Sequence, residues 1–265
     1  RLGMRTLVLA SDAALGAGRK ADLQAIANLA AATGVFELDV VDDRGPGEVR
    51  IPRNWTPQMP SKWGEPANPL EGATKAERRA WSKKHQAKPV RTWSSSNVRY
   101  LLGNGRINEA DAILGHLHAV TGEVVHGEER GRSIGFPTAN LGASITGYLP
   151  VDGVYAGWLV DFGKAPANAG LEDRVELVRN AVSAQRWPAA ISIGTKPTFS
   201  EATGRYERVV EAYCLSEDWL ELYGHTVRVE FAGFLRPQVK FGSADELVAE
   251  LKRNVQTTRE ITSRQ

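Results

Sequence analysis

The pattern of hydrophobic and polar positions changes along this chain, and its first block is of the α/β type. Residues 7–10 (LVLA) form a short apolar run that is typical of a buried strand. A helix is predicted next, ending at Gly34, with four apolar positions on one face: Leu23, Ile26, Ala27 and Ala30. Residues 35–43 (VFELDVVDD) then return to a strand-like pattern.

Residues 44–90 break this pattern. Seven of the chain's 13 prolines lie there, and aliphatic residues are few. Trp55, Trp63 and Trp81 stand among polar residues, and residues 75–88 (KAERRAWSKKHQAK) are strongly basic. Such a composition favours a long irregular insertion with a short solvated helix over a separate binding module.

After residue 90 the pattern is first helical and then β. Residues 94–115 predict two short helices, with serines at the first N-cap and Gly115 at the final end. Five strand-like runs separated by turn residues follow, as in an antiparallel sandwich or barrel: HAVTGEVVH, GVYAGWLVDF, AAISIG, RVVEAYCL and HTVRVEFAGFL.

The C-terminal residues 243–261 predict a closing helix. Ser243 and Glu246 have capping-box spacing, and the i, i+4 apolar stripe is Leu247, Leu251 and Val255. We therefore predict two domains. Residues 1–115 form a partial α/β domain with the insertion 44–90, and residues 116–265 form a β domain.

Bulk composition narrows the classes of function. The net charge of +2 arises from 33 basic and 31 acidic residues, so a protein that coats nucleic acid is not favoured. The single Cys214 excludes a disulfide framework within the chain and fits a reducing cytoplasm. No run of roughly 18 apolar residues predicts a membrane span. Because the chain begins at Arg1 without methionine, we expect it to be the continuation of a longer product.

Candidate chemistry begins at residues 131–141, GRSIGFPTANL. This is not a P-loop, because no G-x-x-x-x-G-K-[ST] occurs in the chain. Pro137 favours extended geometry, in which Thr138 and Asn140 project on the same side. Their neutral oxygens suit Mg²⁺, which takes few protein ligands and binds substrate phosphates. Arg130 and Arg132 precede them and are able to close over phosphates. From these residues alone, an ordinary turn between strands is slightly favoured over such a site.

Glu211 and Arg236 are the other candidates. Glu211 is the one carboxylate on a strand whose two faces are otherwise apolar, which suits a desolvated general base or, equally, an edge-strand residue that faces water. Arg236 ends a strand, where a solvated arginine is the favoured interpretation and a contact with substrate the alternative. His116 and His118 lack a third ligand nearby and predict surface or packing roles, and His126 predicts a structural one.

The run GEVVHGEERGRSIGFPTANL resembles the nucleotide- and magnesium-binding flap of riboflavin kinases. PVDGVYAG, ISIGTKPTF, VVEAYCL, LYG and FLRPQVKF follow in that family's order. The resemblance covers roughly Leu117 to the C-terminus. It implies a six-stranded antiparallel β-barrel with a C-terminal helix.

The resemblance also implies roles for residues, with ATP, Mg²⁺ and riboflavin as small-molecule partners. Thr138 and Asn140 would contact Mg²⁺ and the ATP phosphates, and Glu211 would activate the ribityl 5′-hydroxyl. The implied nucleotide-binding residues are Gly127, Arg130, Gly131, Arg132, Gly135, Pro137, Thr138 and Asn140. The implied flavin-binding residues are Glu211, Tyr223, Leu235, Arg236 and Phe241.

The first block is similar to the back half of the FMN adenylyltransferase module of bacterial FAD synthetases, an incomplete Rossmann-like nucleotidyltransferase fold. Ser95, Ser96 and Arg99 match that family's S-S-T-x-I-R helix pair and would be a residual adenylyltransferase site. The family's G-x-F-D-G-x-H-x-G-H motif has no counterpart here. We therefore expect a riboflavin kinase that does not make FAD as this chain.

Two other functions stay open at this point. A parent protein that carries the missing segment would be a bifunctional kinase and adenylyltransferase. A barrel of this family without activity would be a flavin-binding regulatory module. Specific nucleic-acid binding through the basic residues 75–91 is disfavoured, and the sequence leaves the oligomeric state open.

Overall fold

The computed structural model describes residues 3–42, 45, 47–127, 136–166, 169–181, 184–197 and 206–264. The chain divides into two compact units. Residues 1–49 and 91–93 form the first unit, and residues 50–90 and 94–265 form the second. This division by packing differs from the sequence-based domain limits at residue 115, which stay a prediction. None of the described helices combines the length and the apolar character that crossing a bilayer requires.

The first unit contains the predicted strand–helix–strand. Strand β1 (Thr6–Ala10) pairs in parallel with β2 (Glu37–Val41), and helix α1 (Leu23–Thr33) connects them. Asp22 begins the helix by accepting the Ala25 N–H at 2.9 Å. Gly34 ends it with a left-handed φ of 59°, a conformation that glycine adopts at little cost. The predicted order of strand, helix and strand is confirmed for the described residues of this segment.

The insertion contains more regular structure than its composition predicts. Strands β3 (Glu48–Ile51) and β4 (Lys88–Arg91) pair at its two ends, and helix α2 (Lys75–Lys84) lies between them in sequence. Thr74 and Glu77 form a reciprocal capping box at the start of α2, which has no buried residue. The short solvated helix is thus confirmed, whereas the two four-residue strands are too short to show a periodic pattern.

The second unit is built around a closed antiparallel barrel. Its strands are β5 (His118–Val125), β6 (Ala139–Leu141), β7 (Gly153–Lys164), β8 (Gln185–Pro197), β9 (Tyr206–Cys214) and β10 (His225–Arg236). Their order around the barrel is β10-β5-β6-β9-β8-β7. The predicted six-stranded antiparallel barrel is confirmed.

Among the described residues, four helices besides α2 belong to the same unit as the barrel. They are α3 (Ser95–Leu102), α4 (Ile107–Leu114), α5 (Leu171–Asn180) and α6 (Ala244–Thr262). Ser94 begins α3, and Gly115 ends α4 with a φ of 75°, as the sequence predicts. Helix α5, between β7 and β8 in the chain, is not among the elements that the sequence pattern predicts.

The barrel interior is filled by alternate residues of the strands. Ile191, Ile193, Val210 and Ala212 are completely buried in one core cluster with Phe231. Because side chains alternate along a strand, Ser192 and Glu211 point to the outer face. The alternation therefore assigns Glu211 to the outside of the barrel wall.

Helix α6 packs with a polar face rather than with its apolar stripe. The residues that it buries are Glu250, Asn254, Thr258 and Thr262. Ser243 accepts the Glu246 N–H at 3.2 Å, but the Glu246 carboxylate accepts from Gly242 instead of Ser243. The predicted capping box is therefore only half formed. Leu247 and Leu251 of the stripe line a cavity instead of entering the core.

His118 has the packing role that the sequence favours. Its ring stacks on Phe231 with centroids 5.9 Å apart, and its Nε2 lies 2.7 Å from the Tyr148 carbonyl oxygen. Burial lowers the pKa of His118 below its ordinary value. His116 remains exposed.

Candidate active site

A row of polar residues crosses three neighbouring strands on the outer face of the barrel. Asn140 of β6 is the register partner of Glu211 of β9, and Glu211 is in turn the partner of Ser192 of β8. Directly opposed residues on paired strands lie about 5 Å apart. The fold therefore brings two predicted site residues, 71 positions apart in sequence, into adjacent positions.

Thr138 and Asn140 lie on the same side of their segment, as predicted. The Asn140 Nδ2 donates to the Thr138 carbonyl oxygen at 3.2 Å and lies 3.5 Å from Thr138 Oγ1. Asn140 is buried, with 8% of its surface exposed. Gly127 packs against it, because a Cβ at residue 127 would lie 2.6 Å from Asn140 Oδ1. The absence of a side chain at residue 127 thus makes room for the Asn140 amide.

Cavity A, of about 430 Å³, lies over the outer face of β8 and β9 and is also lined by α6. Its polar lining includes Thr138, Glu211, Arg236 and Asn254. Its apolar lining includes Ala190 and Tyr213 of the strands, Leu247 and Leu251 of α6, and Phe136 and Phe241 of connecting segments. A mostly apolar cleft with a few convergent polar groups is typical of a site for a planar organic ligand.

Cavity B has a volume of about 290 Å³ and is bordered by β5, β6 and β9. It is lined by Gly127, Pro137 and Asn140 and, after β9, by residues 216–220, Leu222 and Tyr223. The Tyr223 ring stacks on the His126 ring, with centroids 3.8 Å apart. Thr138 and Tyr213 line both cavities, so A and B meet beside the Thr138–Asn140 pair.

Arg236 is buried rather than solvated, which corrects the interpretation favoured by its position alone. Its Nε donates to Asn254 Oδ1 at 3.2 Å, and its Nη1 donates to the Pro237 carbonyl oxygen at 3.0 Å. The Glu250 carboxylate lies 3.5 Å away and opposes the effect of burial, which lowers the pKa of Arg236. The guanidinium is therefore held at the wall of cavity A by helix α6.

The predicted flavin-binding residues separate into three locations. Glu211, Arg236 and Phe241 line cavity A. Tyr223 lines cavity B instead. Leu235 lies in a small apolar cluster with Val154 and Ala156.

Among the predicted nucleotide-binding residues, Gly127, Pro137, Thr138 and Asn140 line cavity B. Arg130, Gly131, Arg132 and Gly135 lie outside the described residues. Ser95, Ser96 and Arg99 are exposed on α3, and their adenylyltransferase role stays a prediction.

Three further residues of this region are not predicted as site residues from the sequence: Ser192, Gln238 and Asn254. Gln238 Nε2 donates to Ser192 Oγ at 2.9 Å, so it extends the polar row beyond β8. Asn254 is a polar position on a helix whose apolar stripe runs elsewhere. Ser192 and Gln238 lie within the motifs ISIGTKPTF and FLRPQVKF, but their hydrogen bond joins distant parts of the chain, and Asn254 lies outside the quoted motifs.

Comparison with known proteins agrees with this arrangement. The family model described as "Flavokinase: Riboflavin kinase" matches residues 114–262, more than half of the chain. The chain belongs to the riboflavin kinase family. The match begins at the end of α4 and spans the whole barrel and helix α6, so it contains every residue that lines cavities A and B.

Two curated relatives of this chain are longer than the region that aligns with it. The bifunctional riboflavin kinase/FMN adenylyltransferases of Escherichia coli K12 and Listeria monocytogenes are 34% and 31% identical over 167 and 166 residues. Each alignment covers 63% of this chain and 45% of the relative. The chain thus matches less than half the length of these relatives.

Similarity to solved structures extends over most of the chain. The crystal structure of a macrolide-efflux protein from Streptococcus pneumoniae has a TM-score of 0.54 and 25% sequence identity. It covers 94% of this chain, while the match covers 58% of that protein. Structural likeness therefore continues into residues that precede the riboflavin kinase match.

Proposed function

We propose that this chain transfers the γ-phosphoryl group of ATP to the 5′-hydroxyl of riboflavin, with FMN and ADP as products. The observation that carries the proposal is the meeting of two cavities at Thr138, with Asn140 and Glu211 in adjacent register positions. Phosphoryl transfer requires a donor and an acceptor in line, and it depends on positioning more than on covalent chemistry.

Cavity A is the acceptor site in this proposal. Its apolar lining suits the isoalloxazine ring, and Arg236 and Asn254 supply polar groups for the ring edge. The ribityl chain would then extend toward Glu211. Cavity B is the donor site, because it contains Gly127, Asn140 and Thr138 of the family's nucleotide-binding motif.

The oxygens of Thr138 and Asn140 fit a magnesium ion that arrives with its nucleotide. Asn140 turns its Nδ2 toward Thr138, so its Oδ1 is the atom that would serve as a ligand beside Thr138 Oγ1. Two neutral oxygens suit Mg²⁺, which completes its shell with phosphate oxygens and water. When bound, Mg²⁺ would neutralise charge that develops on the transferred phosphoryl group.

Glu211 is the general base in the proposed reaction. Its carboxylate would accept the proton of the 5′-hydroxyl while the O5′–P bond forms and the bond from the γ-phosphorus to the bridging oxygen breaks. ADP would leave with the electron pair of that bond. Half-burial of Glu211 on a strand between β6 and β8 supports this role, because its backbone is held by ladders on both sides.

The direct test is incubation of the chain with riboflavin, ATP and Mg²⁺, followed by chromatographic separation of the flavins. We expect FMN and an equal amount of ADP, without FAD. FAD would show the bifunctional activity that the relatives' names describe. Bound riboflavin with no ADP would instead indicate a non-catalytic flavin-binding module and contradict the proposal.

We also propose the cytoplasm as the compartment, because ATP is available there and Cys214 stays reduced.

Gly127→Ala tests the link between residue 127 and Asn140. The added Cβ would displace the Asn140 amide and raise the KM for MgATP about 3- to 10-fold, the scale of one weakened hydrogen bond to a charged group. The KM for riboflavin should stay unchanged, because Gly127 does not line cavity A. Steady-state kinetics with each substrate varied would measure both.

Gly170→Ala is the matched control for this substitution. A Cβ at residue 170 would make only an ordinary contact, 3.7 Å from Asp173 Oδ2. An unchanged MgATP dependence in Gly127→Ala would contradict the role assigned to the Asn140 amide.

A further inference from the structure

Part of the proline-rich insertion lies against the barrel, although its composition favours an irregular solvated segment. We call residues 55–65 (WTPQMPSKWGE) the strap. The Gln58 N–H donates to the Gly103 carbonyl oxygen at 2.8 Å, and the Gly64 N–H donates to the Leu235 carbonyl oxygen at 2.7 Å. The strap is thereby bonded to the turn between α3 and α4 and to the end of β10.

Side chains at the two ends of the strap add to these backbone bonds. Trp55 packs edge-on against Tyr100 of α3, with ring centroids 5.5 Å apart. The Glu65 carboxylate accepts the Asn108 N–H and the Asn108 Nδ2, both at 2.7 Å. Four separate contacts therefore hold eleven residues on the surface of the unit that contains the barrel.

Trp63 of the strap contacts a residue of cavity A. Its ring centroid lies 5.7 Å from the Arg236 guanidinium carbon, and the Phe241 ring lies 5.5 Å from the same carbon. The side chain of Arg236 is only 4% exposed. Aromatic faces attract a guanidinium, most strongly where water is excluded. Trp63 thus adds an aromatic contact to the polar partners that helix α6 provides for Arg236.

Met59 of the strap contacts a second residue of cavity A. The Gln238 N–H donates to Met59 Sδ at 3.3 Å, while Gln238 Nε2 donates to Ser192 Oγ and to the Ile193 carbonyl oxygen, both at 2.9 Å. Met59 therefore contacts the backbone of the residue whose side chain extends the polar row beside Glu211.

A third cavity, C, shows how close the strap comes to the proposed reacting groups. It has a volume of about 620 Å³ and is lined by Pro57 and Met59. Cavities A and C share Ser192, Glu211 and Gln238. The strap therefore forms an outer wall of a space that adjoins cavity A at the proposed base.

We propose that the strap contributes to riboflavin binding at the acceptor site. In this proposal Trp63 and Met59 are positioning residues that act through Arg236 and Gln238. The inference rests on the proposed function, in which cavity A binds riboflavin. Arginine has many rotamers, and holding one of them in advance lowers the cost of ligand binding. The strap should therefore affect riboflavin more than ATP, because no strap residue lines cavity B.

Trp63→Ala is the decisive variant, and Trp63→Phe is its conservative counterpart. In Trp63→Ala we expect the KM for riboflavin to rise about 3- to 10-fold, as loss of one cation–π contact implies, with the KM for MgATP unchanged. Trp63→Phe keeps an aromatic face and should recover most of the affinity. A parallel measurement of riboflavin Kd by equilibrium dialysis makes the test independent of turnover.

Trp81→Ala is the matched control, because it removes the same side chain from the same insertion. Trp81 lies on α2, where its ring contacts His85, and it lines neither cavity A nor cavity C. Its kinetics and riboflavin Kd should equal those of the unmodified chain. Met59→Ala gives a second variant and should raise the riboflavin Kd in the same direction.

Each result decides one point. An unchanged riboflavin Kd in both Trp63→Ala and Met59→Ala would overturn the inference. FMN formation by these variants would still support the proposed function. Equal increases in the KM for riboflavin and for MgATP would indicate general loosening and would also overturn it. If no FMN forms in any variant, the proposed reaction fails, yet the dialysis values still test whether the strap supports flavin binding.

Discussion

Glu211→Gln should lower turnover roughly 10²- to 10⁴-fold while leaving riboflavin binding nearly intact, because a positioned general base contributes on that scale. Glutamine has almost the same volume and keeps a hydrogen-bonding side chain on the wall of cavity A. It cannot take the proton of the 5′-hydroxyl. Single-turnover FMN formation and equilibrium dialysis of riboflavin would measure the two effects separately.

The control for this variant is Glu221→Gln. Glu221 is exposed and does not line cavity A or cavity B. It should turn over at the unmodified rate. A Glu211→Gln protein with unchanged turnover would remove residue 211 from the mechanism, and one that fails to bind riboflavin would show a binding role in place of a catalytic one.

Asn140→Ala should lower kcat/KM for MgATP about 10- to 100-fold, because contacts with charged groups contribute about 1.5–3 kcal/mol. The substitution removes one of the two neutral oxygens proposed for Mg²⁺ and leaves Thr138 in place. The backbone pairing of residue 140 with Val125 and Glu211 does not depend on the side chain. Titration of activity with Mg²⁺ at fixed ATP should therefore show a higher metal requirement.

Riboflavin binding offers the internal comparison for Asn140→Ala. Asn140 lines cavity B and not cavity A, so the riboflavin Kd should remain that of the unmodified chain. Asn180→Ala, an exposed substitution at the end of α5, provides the matched control. Identical Mg²⁺ and ATP dependence in Asn140→Ala and Asn180→Ala would contradict the proposed metal site.

The two predictions distinguish the proposed acceptor site from the proposed donor site. Glu211 belongs to cavities A and C, Asn140 belongs to cavity B, and strand pairing brings them together. A loss confined to MgATP in one variant and to turnover in the other would agree with a donor and an acceptor that meet at this row.

Local sequence accounts for the elements that build the site. Glycine conformation, capping and side-chain alternation explain three of these elements: the helix ends at Gly34 and Gly115, the five long β runs and the extended Thr138–Asn140 segment. Motif order from Leu117 onward then indicates the family, and the family match over residues 114–262 agrees. These features depend on neighbours that are close in the chain.

Other features depend on neighbours that are distant in the chain. Arg236 reads as a solvated strand end, yet Asn254 and Glu250 of α6 surround it. The polar face of α6 is buried, and Arg236 contacts its Asn254 and Glu250, whereas Leu247 and Leu251 of the apolar stripe line cavity A. Burial follows from packing partners, so hydrophobic periodicity predicts the wrong face.

The sequence by itself determined the side-chain alternation of the strand that contains Glu211, the position of Thr138 and Asn140 on one side of an extended segment, and the resemblance to riboflavin kinases. Only the tertiary structure decided that Asn140 and Glu211 are register partners, that two cavities meet beside them, and that the strap contacts Arg236 and Gln238. The physical reason is the range of the interactions. Backbone conformation is set by residues within a few positions, whereas a cavity exists only where barrel, helix and insertion close around it.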